Sequence, residues 1–293
     1  MMRKIFKNPA FEQKFRQDGY LTVPLLSKDD IQQCYDIYKK VVGEEFNQVF
    51  YTSHWNRDAT YRRRIHDALN PLLSQRFNAL FHRYKSPYSY FLVKHPHEEG
   101  EVAMHQDWTL IDEKKFVGVT AWCPLIDVEF HNGAFHVIKG SHRFLNNIRG
   151  DGFPFTYGEI KYEMEDYLEE VAVKAGTAVF FDHRLVHASP PNLSHQVRIA
   201  VGNVLIPHEA QFVHYRYNPQ RSPSQLEYYT YNDEFLLEYA FGDSPEKLNF
   251  QKLVPKDNRT INLETFDRLY RTYNKQMPSQ PQPYRQRFGG VKT

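Results

Sequence analysis

The chain has 293 residues, 37 basic against 35 acidic side chains and 41% hydrophobic residues. That length allows one large domain or two modest ones, and the balanced charge leaves no electrostatic footprint for nucleic acid or an anionic membrane. The longest apolar runs, such as residues 178–181, fall far short of a membrane span, and Cys34 with Cys123 gives no disulfide framework.

The first eight residues lack the apolar core of a signal peptide, so a soluble, cytoplasmic protein is the expectation. Asn8-Pro9 reads as the N-cap and first position of a helix that Gly19 stops. Tyr20–Pro24 reads as a short strand, and Ser27 with Asp30 as a capping pair for a helix through Ile31, Cys34, Tyr35 and Tyr38. Asn70-Pro71 signals the start of a further helix with Leu73, Phe77, Leu80, Phe81 and Tyr84 on one stripe. The period then changes. Residues 88–94, 101–108, 116–125 and 134–139 are short β-rich segments parted by turn signals such as Asn132-Gly133. A polar helix is predicted over 159–170, and strands resume at 171–173, 178–181, 185–187 and 196–206. Many short strands with long excursions imply a sandwich or jelly roll rather than a parallel sheet. After Pro207 the spacing of Tyr228, Tyr231, Phe235 and Tyr239, then of Leu263, Phe266, Leu269 and Tyr270, predicts helices, with Asn262 as the last cap. The organisation expected is a single domain over 1–276, with a jelly-roll core at about 86–207 and a helical C-terminal extension at 208–276. A disordered tail over 277–293 follows.

The chemistry centres on His105-Gln106-Asp107. On a strand, residues two apart share a face, so His105 and Asp107 project together and Gln106 points away. With a third ligand from a facing strand, His187, they match the 2-His-1-carboxylate facial triad of non-heme Fe(II) oxygenases. The chain has 14 histidines, so other ligands compete. His131, His136 and His142 lie at polar turns that need no metal, and His183 is the rival nearest to His187. His187 is preferred because Ser189 and Arg198 follow it in a useful register. Arg198 shares a strand face with Ala200 and Gly202, which leaves room above it, and its fork matches a carboxylate bidentately.

These fragments together resemble the phytanoyl-CoA dioxygenase family of Fe(II)/2-oxoglutarate oxygenases, from about Phe11 to Pro207. The resemblance opens with residues 15–24 and continues through His105-Gln106-Asp107, Trp122 and the 132–142 run. It closes with 187–194 and Arg198. It implies a mainly β (α+β) fold, a double-stranded β-helix or cupin-like jelly roll flanked by N- and C-terminal helices. It implies that His105, Asp107 and His187 bind Fe(II) and form the catalytic centre, and that Arg198 and Ser189 hold the far carboxylate of 2-oxoglutarate. Tyr90 and Trp122 would line the co-substrate pocket, with Lys94 a weaker candidate. A carboxylate at 107 occupies the position a halide would need, so hydroxylation, desaturation or ring closure is expected over chlorination.

The activity expected is therefore a dioxygenase using Fe(II), 2-oxoglutarate and O2 to hydroxylate an unactivated C–H of a small metabolite, as a monomer or homodimer. A cupin-like isomerase or hydrolase without an oxo acid is the alternative, but it leaves Arg198 without a purpose. A non-catalytic metal-binding protein of the same fold is the third reading. The Arg62-Arg63-Arg64 run, with Tyr51, His54 and Trp55 before it, borders the pocket in such folds and could meet an anionic or amide-bearing substrate.

Overall fold

Capping chemistry sets the N-terminal elements in a computed structural model of the chain, which describes residues 3–43, 48–152, 155–240, 243, 248–257 and 259–274. Helix α1 (Pro9–Asp18) begins where Asn8 accepts a hydrogen bond from the Ala10 amide. It stops at Gly19, whose φ of 85° suits a residue without a Cβ. Strand β1 (Tyr20–Pro24) follows, and helix α2 (Lys28–Val41) opens on a complete capping box between Ser27 and Asp30. Strand β2 (Phe50–Thr52) and a 3-10 turn at Ser53–Trp55 lead into helix α3 (Ala59–Leu80).

Helix α3 corrects the expected start at Asn70-Pro71: Asp58 caps it, and Pro71 lies inside it. The buried stripe is Ile65, Leu69, Leu73 and Phe77, whereas Pro71 and Asp67 are exposed. The hydrogen bond that proline removes therefore lies on the solvent side, where water takes the orphaned carbonyl.

The β core begins with β3 (Tyr84–Lys94), β4 (Val102–His105), β5 (Val119–Pro124) and β6 (Phe135–Val137). The single helix predicted over 159–170 is instead a broken segment. Helix α4 (Lys161–Met164) sits between two 3-10 turns, and Glu169–Val171 forms β7, which pairs with β6. No side chain caps these turns, while Ile160, Met164, Tyr167 and Leu168 are buried together, so packing sets their path. Strands β8 (Thr177–Asp182), β9 (His187–Ser189) and β10 (Arg198–Pro207) complete the core.

Two antiparallel sheets result, one ordered β1-β8-β5-β10-β3-β2 and the other β4-β9-β6-β7, which form the jelly roll. Alternation along β8 shows how they pack. Phe180 points to the helix-covered face with Phe15, Leu69 and Phe77, while Val179 and Phe181 point between the sheets with Trp122, Phe135 and Val137. The same alternation on β10 turns Ile199 and Val201 toward the helices and Ala200 toward the interior.

The extension after Pro207 is the larger correction. Residues 228 and 231 do not lie on a helix. Strands β11 (Phe212–Arg216), β12 (Gln225–Tyr231) and β13 (Asn249–Pro255) form a third antiparallel sheet. The aromatic and β-branched content of Gln-Leu-Glu-Tyr-Tyr-Thr-Tyr suits a pleated surface better than a helix. Two helices do form, the short α5 (Phe235–Glu238) and α6 (Leu263–Tyr273), the latter capped by Asn262 as expected. The tail over 277–293 lies outside the described residues.

Ser27 carries half of a reciprocal cap, and Asp30 also meets Arg76 of α3 at 2.8 Å. Ser27→Ala is expected to cost about 1 kcal/mol in denaturant unfolding, with no change in the hydrodynamic size of the folded protein.

Candidate metal centre and its cavity

The two histidines meet because β4 and β9 pair in a register that sets His105 directly opposite His187, with ring centres 4.2 Å apart. Each ring is turned the same way by its own backbone. His105 Nδ1 lies 2.8 Å from the Ala103 carbonyl, and His187 Nδ1 lies 2.9 Å from that of Leu185. A carbonyl accepts only, so both Nδ1 atoms carry the proton and both Nε2 atoms offer a lone pair. Those lone pairs converge on Asp107 Oδ1, at 4.0 Å from His105 and 3.7 Å from His187. One donor atom from each of the three residues lies within 4.8 Å of the others, an arrangement that could hold a metal ion.

Asp107 arrives there by a route the strand pattern did not foresee. Strand β4 ends at His105, so Asp107 stands in the following loop rather than two residues along a strand. Buried Arg149 holds that loop. Its Nε donates to the Asp107 carbonyl at 2.9 Å, and its fork clasps Glu113 at 2.6 and 2.8 Å. Gln106 points away as expected, its amide donating to the carbonyls of Leu145 and Arg184. The free carboxylate oxygen of Asp107 accepts a hydrogen bond from Thr120 Oγ1 at 2.6 Å. Burial pushes the Asp107 carboxyl up, but His187, His183, His105 and the Thr120 hydroxyl outweigh it and hold the group below its ordinary value.

His187 likewise starts β9 rather than ending the strand that follows Gly176-Thr177. The chain leaves β8 at Asp182 and crosses to the second sheet before His187. Phe135 and Phe181 flank its ring, and burial with nearby His105 pushes its pKa down to about 4. A neutral imidazole is the form that ligates metal. The rival His183 is buried outside this cluster, close against Gly118. His136 and His142 turn toward the carbonyls of Ala134 and Arg16, and His131 is exposed.

A chamber of about 180 Å³ runs from the three donor residues to Arg198, with Tyr90, Trp122, Ser189 and Phe181 in its walls. Arg198 is fully buried, 5.4 Å from the Trp122 ring, and its Nε and Nη1 have no partner among the described residues. Burial depresses its pKa to about 9. Directly across the β10–β3 ladder stands Lys94, also fully buried and held well below its ordinary pKa by burial and then by Arg198. Neither cation forms an ion pair among the described residues. Lys94 spends its donors on the Ser189 carbonyl and hydroxyl, each at 2.8 Å, and on the Pro190 carbonyl. The Ser189 hydroxyl donates in turn to the Gly133 carbonyl at 2.9 Å. Lys94 thus positions Ser189 and has no donor left for a ligand, whereas Arg198 has donors to give.

A second chamber of about 300 Å³ opens on the other side of the donor residues. It shares His54, Trp55, Tyr90, His105, Asp107 and Thr120 with the first. Sequence reasoning missed Thr120 and Arg149, whereas His54 and Trp55, expected at the border of the pocket, line both chambers. Thr120 was within reach, since it shares a face of β5 with Trp122 at a spacing of two. Arg149 was not, because its loop carries no periodic signal.

The fold and this cluster define the class, a cupin-like jelly roll with a metal-competent His-x-Asp and a distal histidine. The phytanoyl-CoA dioxygenase (PhyH) family model matches residues 15–200, and the chain belongs to that family. A phytanoyl-CoA dioxygenase of Arabidopsis thaliana is 34% identical over 118 residues, 38% of this chain and 41% of that protein. A phytanoyl-CoA dioxygenase domain-containing protein 1 homolog of Dictyostelium discoideum is 27% identical over 150 residues, 48% of this chain and 50% of that one. The matched stretch therefore spans half or less of the length of these curated relatives. Among solved structures, the epimerase SnoN in complex with Fe3+, alpha ketoglutarate and nogalamycin RO is similar in fold, with a TM-score of 0.53 at 18% identity. That similarity covers 85% of this chain and 96% of SnoN. No helix among the described residues is long and apolar enough to cross a membrane.

Two substitutions probe this geometry. Thr120→Val keeps the shape but removes the hydrogen bond that orients Asp107, and metal affinity in a competition titration is expected to fall about 10–100-fold. At Gly202 an added Cβ would lie 2.4 Å from the Tyr90 ring. Gly202→Ala is therefore expected to displace Tyr90 and to lower the melting temperature, while circular dichroism keeps its β signature.

Proposed function

We propose that the chain is an Fe(II)- and 2-oxoglutarate-dependent dioxygenase that hydroxylates an unactivated C–H bond of a small molecule. The observation that carries this reading is the fully buried Arg198, with unpartnered donors, in the same chamber as the three convergent ligand side chains. A buried guanidinium without an anion is costly, and a carboxylate from a ligand would remove that cost. A cupin-like metalloenzyme without an oxo acid would leave the guanidinium uncompensated.

In this reading His105, Asp107 and His187 would hold Fe(II), which with an oxo acid and dioxygen would supply oxidative attack on the C–H bond, with succinate and carbon dioxide as co-products. The chain's own groups prepare that chemistry. The Ala103 and Leu185 carbonyls hold the two imidazoles as Nε2 ligands, and Thr120 and Arg149 fix Asp107 from its side chain and its backbone. Arg198 receives the far carboxylate under the Trp122 ring, and Ser189, set by Lys94 and Gly133, stands beside it. Phe135 and Phe181 keep water from the His187 side. Tyr90 lies across β10 above Gly202 and completes the wall.

Anaerobic addition of Fe(II) and 2-oxoglutarate to the purified protein is expected to produce a visible metal-to-ligand charge-transfer band, lost with succinate formation when oxygen is admitted. Metal binding without that band would overturn the proposal. His187→Ala should abolish the band in a folded protein. Arg198→Ala should raise the 2-oxoglutarate concentration needed for it by about 10–100-fold, the worth of a charged hydrogen-bonded contact. An unchanged requirement would remove Arg198 from the site.

A further inference from the structure

The second chamber has a different character from the first. Its mouth is flanked by Trp55 and Phe155, two of the few exposed large hydrophobic side chains among the described residues. Inside, Tyr88 and Tyr90 stack with ring centres 5.4 Å apart, and Trp108, Val204, Leu236 and Phe235 face them. Among the described residues, Asp107 is the sole acidic one in the lining, and no lysine or arginine lines the chamber. The polar side chains that remain are few. Gln106 has its amide nitrogen committed to backbone carbonyls, whereas His54 edges onto Tyr88 and Tyr90, where burial and Arg62 push its pKa down to about 4.

Arg62 and Arg63 of the basic run are spent on building this chamber rather than on reaching into it, and Arg64 is exposed. Arg62 is fully buried and makes no ion pair among the described residues. Its Nε and Nη2 donate to the Leu237 carbonyl at 3.0 and 2.7 Å, and its Nη1 donates to the Asn56 carbonyl. One guanidinium therefore braces the turn that carries His54 and Trp55 against the segment that carries Phe235 and Leu236. Arg63 adds a pair with Glu234, and Lys85 a pair with Asp233. The family match ends at residue 200, so the braced wall at 233–239 lies outside the matched segment.

We infer that this chamber is a substrate site for an uncharged, predominantly apolar, ring-bearing molecule, and that the braced segment 233–239 sets that selectivity. The inference rests on the oxygenase reading for the word substrate, because the chamber opens on the same donor residues. Aromatic walls reward flat apolar rings by burial and stacking. Along those walls an anionic group would be desolvated with no lysine or arginine of the described lining to meet it. A nucleotide-linked acyl group would find no partner for its phosphates in this chamber. His54 offers the hydrogen bond for a single hydroxyl or carbonyl on such a ring.

The test uses two probes with one ring system, neutral N-phenyl-1-naphthylamine and anionic 1-anilinonaphthalene-8-sulfonate, titrated into the full-length protein. All three tryptophans, Trp55, Trp108 and Trp122, line one chamber or both, so energy transfer from tryptophan to probe reports occupancy. The neutral probe should bind at one site and at least about tenfold more tightly than the sulfonate. Leu236→Arg, checked for folding by its melting temperature, should weaken the neutral probe by at least about tenfold. Equal or tighter binding of the sulfonate to the unaltered protein would overturn the inference whatever the variant does, as would undiminished neutral-probe binding by folded Leu236→Arg. The charge-transfer band with Fe(II) and 2-oxoglutarate is read on the unaltered protein in parallel. Its absence beside the expected probe pattern would sink the oxygenase reading and leave the chamber's selectivity standing.

Discussion

Two buried cations face each other across the ladder between β10 and β3, and no anion of the described chain pairs with either. Burying one unpaired charge costs several kcal/mol, and two adjacent like charges cost more. Lys94 offsets part of that cost by filling its three donor positions with Ser189 and Pro190 oxygens. Arg198 has, among the described residues, the face of Trp122 alone. The remaining deficit explains the layout around it. The space over Gly202 on the same strand face is taken by the Tyr90 ring, a serine is fixed alongside, and the ligand cluster lies at the other end of the same chamber. In the proposed reading, a stability contribution is given up in exchange for a preorganised anion site, which is how binding energy is made available for positioning a co-substrate.

The metal-competent cluster depends on register in the same way. A slip of one residue between β4 and β9 would turn one imidazole to the opposite face. Cross-strand pairing at His105 and His187, backbone carbonyls on both Nδ1 atoms, and two separate anchors on Asp107 remove that freedom. The least regular member, Asp107, has the most external support: Thr120 on its carboxylate and Arg149, itself locked by Glu113, on its carbonyl. A ligand on a loop needs such props where a ligand on a strand does not.

Side-chain type and short-range spacing pointed to His105, Asp107, His187 and Arg198, and the structure gathers them around one chamber, although Asp107 stands in a loop rather than on the strand whose alternation suggested it. Tyr90 and Trp122, expected in the chamber wall from the family resemblance, line it. Spacing failed where tertiary packing decides. Pro71 sits inside α3 because its missing hydrogen bond falls on the solvent side, a fact visible only once the buried stripe is known. Tyr228, Tyr231, Phe235 and Tyr239 are spaced like a helix face, yet two lie on a strand and one in α5, since cross-strand partners from β11 and β13 outweigh that spacing. The arginine run was open to an anionic reading because sequence cannot show that Arg62 is consumed by the carbonyls of Leu237 and Asn56.

The claim on which the account turns is that Arg198 waits for the second carboxylate of a dicarboxylic oxo acid. It is tested most directly by anaerobic titration of the Fe(II)-loaded protein with 2-oxoglutarate and, separately, with pyruvate, which has the same oxo-acid group but no second carboxylate. The account predicts that 2-oxoglutarate binds at least about tenfold more tightly, the worth of a charge-assisted pair in a buried site. Equal affinity for the two acids would contradict it.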